Sequence, residues 1–282
     1  MTMTLKGTLL AALVVVALGY LALVFLVYLF QDHLLFFPQK RAFAECDLAR
    51  MAGFETVDTR AGEQKVRLFV HEKPDARVWI IMFHGNGSTA CDSIYYWDAL
   101  RALPANFAFA EYPGYQGDES VRSSQPALLE NATAIYDFIA ARNRSRLPVV
   151  GFGESLGTGV VTYLATVREV RGLVLRTPYT SIADVGAGHY PFLPVRWLMR
   201  NPFPAAEWAP KVKGPVLILH GTRDDTIPLS NAREQAKRFQ TAPTFVTIEG
   251  ANHNDLSEVD PKLLFGSVRS FISGLLGEAP GK

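Results

Sequence analysis

The 282-residue chain lacks a marked excess of charge of either sign. Its formal net charge at pH 7 is +1, and long runs of lysine or arginine are absent. Because nucleic-acid binding depends on a basic face that neutralises phosphates, we predict no nucleic-acid partner. Internal repeats and low-complexity tracts are absent as well. The length is ample for a single large domain with an extensive core.

Cysteine is scarce, and the histidines are scattered. The two cysteines, Cys46 and Cys91, cannot form the disulfide framework of a small secreted domain. A single disulfide between them is an alternative, but a chain with so few cysteines more often carries two separate thiols. No His-x-x-x-His pair or cysteine cluster has the spacing of metal ligands. The Gly-Lys-Ser/Thr of a P-loop is also missing, so we expect an activity that needs no metal and no cofactor.

One long segment contains no charged residue. Leu9 to Phe30 would form a helix of roughly 33 Å, enough to cross a hydrocarbon core of about 30 Å. We predict a membrane anchor within residues 1–31, in contact with membrane lipid through residues 9–30. A cleaved signal peptide is the alternative, but its apolar part usually has only about 7–15 residues. Basic residues flank the segment on both sides, so the side of the membrane on which the rest of the chain lies stays open.

A connector at residues 32–53 leads to a region, residues 54–282, in which short apolar runs alternate with amphipathic ones. This alternation predicts an α/β domain with a mostly parallel sheet and helices on both faces. Predicted strands are Val66–Val70, Val78–Phe83, Phe107–Glu111, Val149–Phe152, Leu173–Arg176, Val216–Leu219 and Thr244–Ile248. Predicted helices are Asp92–Leu103, Gln125–Arg142, Ser155–Val167, Asn231–Phe239 and Pro261–Leu275.

Residues 178–210 break the alternation. This excursion holds six prolines and is rich in large aromatic residues. It is too long for a plain connection between two elements. It either lines an apolar pocket near a site or shields the sheet, and the two interpretations are compatible.

The most informative motif is Gly153-Glu154-Ser155-Leu156-Gly157, between a predicted strand and a predicted helix. This pattern is typical of a nucleophile elbow, a turn so sharp that its flanking positions must lack side chains. The non-catalytic alternative is a serine that only caps the N-terminus of the helix. A dinucleotide-binding turn is also conceivable, but the next strand ends in Arg176 where an acidic residue is expected.

A serine nucleophile needs a base, and the base needs an orienting group. Asp224 and His253 each follow a predicted strand, and in a parallel sheet such loops open at the same edge as Ser155. We therefore predict Ser155 as nucleophile, His253 as base and Asp224 as orienting carboxylate. Asp225 is the rival of Asp224, and an ordinary surface loop is the alternative for His253.

A developing oxyanion needs two backbone donors. We assign the backbone N–H of Leu156, directly after the nucleophile, and that of Asn86, in the loop His84-Gly85-Asn86-Gly87. His84 and His220 each precede a glycine at a strand end, and we expect both to bond nearby loop backbone.

These motifs, together with Glu111-Tyr112-Pro113-Gly114-Tyr115 and His253-Asn254-Asp255, resemble those of the α/β-hydrolase superfamily. With the anchor and the exit Leu34-Leu35-Phe36-Phe37-Pro38, the chain resembles its Bem46-like branch, which includes N-terminally anchored serine hydrolases and is related to serine aminopeptidase-type hydrolases and protein depalmitoylases. The resemblance implies a single-pass membrane enzyme that cleaves carboxylic esters or thioesters of small or lipid-like acyl compounds. Peptide or amide hydrolysis by the same triad is the alternative, and a non-catalytic membrane scaffold is another.

Overall fold

An eight-stranded sheet forms the centre of this computed structural model, which describes residues 5–62, 64–118 and 121–277. The strand order is β1-β2-β4-β3-β5-β6-β7-β8, and β2 pairs antiparallel with both β1 and β4. Every pairing from β4 across to β8 is parallel. The strands are β1 Glu55–Ala61, β2 Gln64–His71, β3 Val78–Phe83, β4 Ala105–Ala110, β5 Val149–Glu154, β6 Gly172–Arg176, β7 Val216–Gly221 and β8 Thr244–Ile248.

Helices cover both faces of this sheet. Side chains of α4, α5 and α9 belong to one hydrophobic cluster, and those of α3 and α11 belong to the other. The α/β fold class predicted from the alternation is therefore confirmed. The helices are α1 Leu5–Leu35, α2 Asp47–Met51, α3 Tyr95–Leu100, α4 Gln125–Arg142, α5 Leu156–Val167, α6 Ile182–His189, α7 Val195–Leu198, α8 Ala205–Trp208, α9 Leu229–Ala236, α10 Leu256–Val259 and α11 Pro261–Leu275.

All seven predicted strands are present, but the sequence pattern did not predict the eighth strand, β1. Most of its residues are exposed, and Val57 is its one buried residue. A strand at the sheet edge contacts a neighbour on one side and lacks the apolar run that marks a buried strand. The predicted helix Asp92–Leu103 is shorter, with a 3₁₀ turn at Asp92–Ile94 followed by α3. The last five residues of the predicted domain, 278–282, lie outside the described residues.

Helix α1 is long and apolar enough to cross a membrane. It has 31 residues, and none of them is buried against the rest of the protein. A helix of this composition in the core of a soluble domain would be largely covered. The segment Leu9–Phe30 lies inside α1, and the connector after it folds back onto the sheet, where Phe36 joins the core.

The expectation of two separate thiols is wrong, because Cys46 and Cys91 form a disulfide. Their Cα atoms are 5.6 Å apart, although 45 residues separate them in sequence. Cys46 lies at the start of α2 in the connector, and Cys91 follows the loop after β3. The return of the connector to the sheet brings the two together, which a count of cysteines cannot show.

Candidate active site

Ser155 is the single residue between β5 and α5. Its backbone has φ +48° and ψ −114°, a region that residues with side chains rarely adopt. The neighbouring structure holds it there, since its N–H donates to the carbonyl of Arg176 at 2.9 Å. The carbonyl of Ser155 accepts from the N–H of Thr158 at 2.9 Å. Strand and helix therefore meet in the sharp turn that the motif predicts.

The two glycines of the motif are required by space. A Cβ at Gly153 would lie 2.4 Å from the carbonyl oxygen of Gly157. A Cβ at Gly157 would lie 2.1 Å from the carbonyl oxygen of Phe83. The backbone of helix α5 lies in direct contact with the backbones of β5 and β3. For this reason neither glycine can be replaced by a residue with a side chain unless the backbone moves.

Ser155, His253 and Asp224 lie together at the carboxyl edge of the parallel strands. Ser155 Oγ is 3.0 Å from His253 Nε2, and His253 Nδ1 is 2.8 Å from Asp224 Oδ2. Asp224 follows β7 and His253 follows β8, so neighbouring strands deliver both side chains. Asp224 and His253 are each only 7% exposed, whereas Ser155 is half-buried.

Comparisons with known proteins agree with this architecture. No protein-family model matches the chain. The chain is 29% identical over 265 residues to the uncharacterised protein Rv2307c of Mycobacterium tuberculosis, covering 92% of this chain and 93% of that one. It is 28% identical over 202 residues to the human alpha/beta hydrolase domain-containing protein 17B, covering 70% and 68%.

Solved structures show the same fold. Est1E from Butyrivibrio proteoclasticus superposes with a TM-score of 0.63 at 17% identity, covering 79% of this chain and 99% of its own. A bacterial membrane phospholipase A gives a TM-score of 0.63 at 16% identity, covering 96% of this chain and 99% of its own. This chain is a member of the α/β-hydrolase superfamily.

In this α/β-hydrolase, the carboxylate of Asp224 is fully satisfied. Its Oδ1 accepts from the backbone N–H groups of Thr226 at 3.0 Å and Ile227 at 2.7 Å. Burial acts to raise its pKa, but hydrogen bonds from His220 and His253 outweigh burial and hold the pKa well below its usual range. The group is therefore a carboxylate at neutral pH. Asp225 is exposed, and its carboxylate accepts from the Thr226 hydroxyl at 3.4 Å.

Two histidines expected only to bond loop backbone also reach carboxylates. His220 Nε2 is 2.9 Å from the carbonyl oxygen of Ile227 and 3.3 Å from Asp224 Oδ2. His84 Nδ1 is 2.8 Å from the carbonyl of Gly85, and its Nε2 is 3.0 Å from Oε1 of the buried Glu111. The backbone contacts follow the expectation, but sequence reasoning missed both carboxylate partners.

The loop that follows β3 lies directly beside Ser155. A Cβ at Gly85 would be 3.4 Å from Ser155 Cβ. The side-chain oxygen of Asn86 accepts from the Phe37 N–H at 3.1 Å and from the Tyr115 hydroxyl at 2.7 Å, and its amide nitrogen donates to the Leu35 carbonyl. The side chain of Asn86 thus hydrogen-bonds to the connector at Leu35 and Phe37. In the described part of the chain, no hydrogen bond uses the backbone N–H of Asn86 or of Leu156.

A buried ion pair is formed by the residue that directly precedes Ser155 in the turn. Arg176, at the end of β6, is 1% exposed and pairs with Glu154, which precedes Ser155. The Tyr96 hydroxyl donates to the other carboxylate oxygen of Glu154 at 3.1 Å, and Arg176 Nη2 donates to the Asn254 carbonyl at 3.3 Å. Burial acts to lower the pKa of Arg176, but Tyr96 and Glu154 outweigh it and raise that pKa. The pair links the Ser155 turn to the loop of His253.

The excursion at residues 178–210 borders the site. Its ends pack into the core, where Tyr179 and Phe203 are fully buried. At the end of α6, His189 Nε2 is 2.8 Å from the carbonyl oxygen of Thr226, in the loop of Asp224. The excursion therefore shields the sheet at its ends and flanks the site through α6. Within residues 5–62, 64–118 and 121–277, no group of three or more His, Cys, Asp or Glu is arranged to hold a metal.

Proposed function

We propose that the protein is a membrane-anchored serine hydrolase that cleaves carboxylic esters or thioesters through an acyl-enzyme on Ser155. The observation that carries the proposal is the pair of contacts from Ser155 Oγ to His253 Nε2 and from His253 Nδ1 to Asp224, at 3.0 and 2.8 Å. A strained serine at a helix start, within reach of an oriented imidazole, is the arrangement that serine nucleophiles need.

In the proposed reaction, His253 donates its Nδ1–H to Asp224, which leaves Nε2 free to accept the proton of the Ser155 hydroxyl. The Oγ attacks the acyl carbon, and the carbonyl π electrons move to its oxygen. The backbone N–H groups of Leu156 and Asn86 donate to that oxyanion. On collapse, His253 gives its proton to the departing alkoxide or thiolate.

Deacylation repeats the sequence with water as the nucleophile. His253 accepts a proton from the water, whose oxygen attacks the acyl carbon, and the proton passes to Ser155 Oγ as the acid departs. Asp224 stays ionised throughout and stabilises the imidazolium. Apart from the substrate and the attacking water, each step uses only side chains and backbone groups of this chain, so the proposed chemistry needs no cofactor.

The anchor in the proposal is helix α1, supported by its length, its apolar surface and its lack of buried residues. A membrane-bound enzyme meets acyl chains at the bilayer, which favours lipid-like substrates over soluble ones. Solved structures with this fold include an esterase from Pyrococcus furiosus and a membrane phospholipase A, and their names support the same substrate class.

Labelling with a fluorophosphonate probe tests the catalytic part. The wild-type protein in membranes should be labelled, and Ser155→Ala should not. Ser270→Ala, an exposed serine on α11, is the matched control and should be labelled like wild type. No labelling of either protein would leave a non-catalytic scaffold as the explanation. Equal labelling of Ser155→Ala and wild type would refute Ser155 as the nucleophile. A matched set of ester, thioester and anilide substrates then separates esterase, thioesterase and amidase activities.

A further inference from the structure

Part of the excursion presents large aromatic side chains to the outside of the protein. The relative exposures of Tyr190, Phe192 and Trp197 are 55%, 59% and 90%. Tyr190 and Phe192 precede α7 and Trp197 lies within it, in the stretch between α6 and the buried Phe203. A cluster of exposed aromatic residues in one short stretch is typical of a surface that meets an apolar partner.

This aromatic loop, which we define as residues 190–198, lies alongside helix α1. The Tyr20 hydroxyl donates to the Phe192 carbonyl at 2.7 Å, and Gln31 Nε2 donates to the Leu198 carbonyl at 3.2 Å. A small cavity of about 50 Å³ lies between the two, lined mainly by aliphatic side chains of both. Tyr20 is the midpoint of α1, so the loop reaches halfway along the helix.

The position of that contact fixes the depth of the loop if α1 spans a bilayer, as the proposed function requires. Residues 7–31 carry no charge, and Lys6 and Asp32 bound this window. A hydrocarbon core of about 30 Å occupies roughly 20 helical residues, so its boundary on the domain side lies between residues 26 and 31. Tyr20 is then roughly 9 to 16 Å inside that boundary. The Phe192 carbonyl accepts from the Tyr20 hydroxyl, so its depth differs from that of the helix position by no more than about one side-chain length.

Much of the backbone of the loop is hydrogen-bonded, which favours a medium without water, where every unpaired polar group is costly. Pro191 and Pro194 have no N–H to satisfy. The N–H groups of Leu193 and Val195 donate to carbonyls of the loop itself. The N–H of Tyr190 donates to the carbonyl of Gly186 in α6. With the Tyr20 hydroxyl on the Phe192 carbonyl, the deepest carbonyl also has its partner.

The charged side chains of this region are paired. Arg196, the one charged residue of the aromatic loop, donates through Nε to Asp184 of α6 at 2.7 Å. Asp32 accepts from the Arg200 guanidinium at 2.9 Å and from the Asn201 amide at 2.8 Å. The Arg200 guanidinium also lies over the Tyr28 ring, 5.4 Å from its centre. Trp197 precedes Leu198, which is held by Gln31, so the indole is near the boundary where tryptophan is enriched in membrane proteins.

We propose that residues 190–198 insert into the lipid bilayer beside α1, with Phe192 in the acyl-chain region and Trp197 near the headgroups. The loop begins directly after His189, which contacts the loop of Asp224, and so insertion brings the mouth of the site to the membrane surface. The acyl chain of a substrate then enters from the lipid phase. A second copy of the chain or another protein as the partner of this surface is a competing outcome of the test.

Quenching of tryptophan fluorescence by brominated lipid tests this placement. The full-length protein is reconstituted in phosphatidylcholine vesicles with or without brominated acyl chains. We expect quenching in the wild type and loss of most of it in Trp197→Phe. Trp97→Phe, which removes a half-buried tryptophan on α3, is the matched control and should retain the quenching. In the Trp197→Phe background, Phe192→Trp should respond more strongly to bromines deep in the acyl chain than to shallow ones.

A Trp197 that brominated lipid fails to quench while aqueous acrylamide quenches it would overturn the inference. A Trp197 shielded from both quenchers would also overturn it, in favour of a protein partner. Extraction with alkaline carbonate separates this failure from failure of the proposed function. Release of the chain from the vesicles would refute the anchor itself, whereas a retained chain with unquenched Trp197 would refute insertion of the loop alone.

A kinetic test addresses the substrate route. The variant Phe192→Asp places a charge at the inserted position, which strongly disfavours the bilayer interior. We expect the rate on a long-chain ester embedded in vesicles, divided by the rate on soluble p-nitrophenyl acetate, to fall by about tenfold or more. An unchanged ratio would exclude entry of the substrate past an inserted loop.

Discussion

Reduction of the Cys46–Cys91 disulfide should destabilise the domain substantially. The bond joins residues 45 apart, and the loop-closure entropy for a ring of this size corresponds to about 4 kcal/mol at 25 °C. For a domain of this length, losing about 4 kcal/mol from the free energy of unfolding lowers Tm by roughly 8–16 °C. Both cysteines are buried, so the oxidised bond is protected from reductant in the folded state.

Thermal unfolding of the detergent-solubilised protein, with and without a strong phosphine reductant, measures this effect. Cys91→Ala should have a low Tm that no longer responds to reductant. Cys46 has a second role, because its sulfur accepts from the Ala49 N–H at 3.3 Å and caps α2. Cys46→Ser keeps an acceptor at the cap, whereas Cys46→Ala should lose about 1 kcal/mol more.

A reduced protein, with both thiols titrated as free, that unfolds within about 2 °C of the oxidised form would refute the loop-closure reasoning. The same bond bears on topology, because structural disulfides persist in oxidising compartments. We therefore expect the domain to face away from the cytosol. A maleimide reagent of high mass, applied to denatured protein from whole cells without reductant, should fail to modify either cysteine. Modification of both would place the domain on the reducing side.

The remaining predictions concern the site. Gly157→Ala should destabilise the domain by about 3 kcal/mol, because its Cβ would lie 2.1 Å from a carbonyl oxygen; urea unfolding measures this, and a shift below 1 kcal/mol would contradict it. Asp224→Asn should lower kcat by about 10⁴ in an ester assay while the far-ultraviolet circular dichroism stays unchanged. The lowered pKa of Asp224 means that its contribution to stability is present above pH of about 4 and is lost as the pH falls towards the folded-state value; Asp224→Asn should therefore flatten the acid limb of a Tm-against-pH curve. Asn86→Ala should lower kcat by about 10- to 100-fold with a smaller change in KM, because it frees the loop from the connector; an effect on KM alone would argue against this role.

Sequence patterns gave the elements of this protein because each element carries its own local signal. Buried parallel strands such as β3 and β7 are continuous apolar runs, and the Gly-x-Ser-x-Gly turn needs two glycines for reasons of space. The edge strand β1 has no such signal, since only one of its residues is buried. Asp224 and His253 could be placed at one edge because each follows a parallel strand, a rule of topology that needs no coordinates.

Contacts between distant polar residues could not be predicted in the same way. Glu154 occupies a variable position of its motif, and Arg176 belongs to no motif of its own. Their ion pair depends on the parallel pairing of β5 with β6, which places the two residues opposite each other in the register. The contact of Asn86 with Leu35 joins residues 51 apart in sequence, with no motif to mark it. Such pairs follow from the packed fold and not from any local pattern.

The contacts of the connector, which no sequence motif marks, have one common effect on the site. Asn86 binds the connector through Leu35 and Phe37, Phe36 enters the core, and the disulfide secures the connector again. These contacts join the end of α1 and the connector to the loop that borders Ser155, to the core and to Cys91 after that loop, so the helix and the site are held as one unit. Under the proposed anchoring, the distance from Ser155 to the membrane surface is then fixed by the fold. A substrate acyl chain that stays in the lipid phase therefore meets a nucleophile at a constant height, which lowers the entropy cost of bringing the two together.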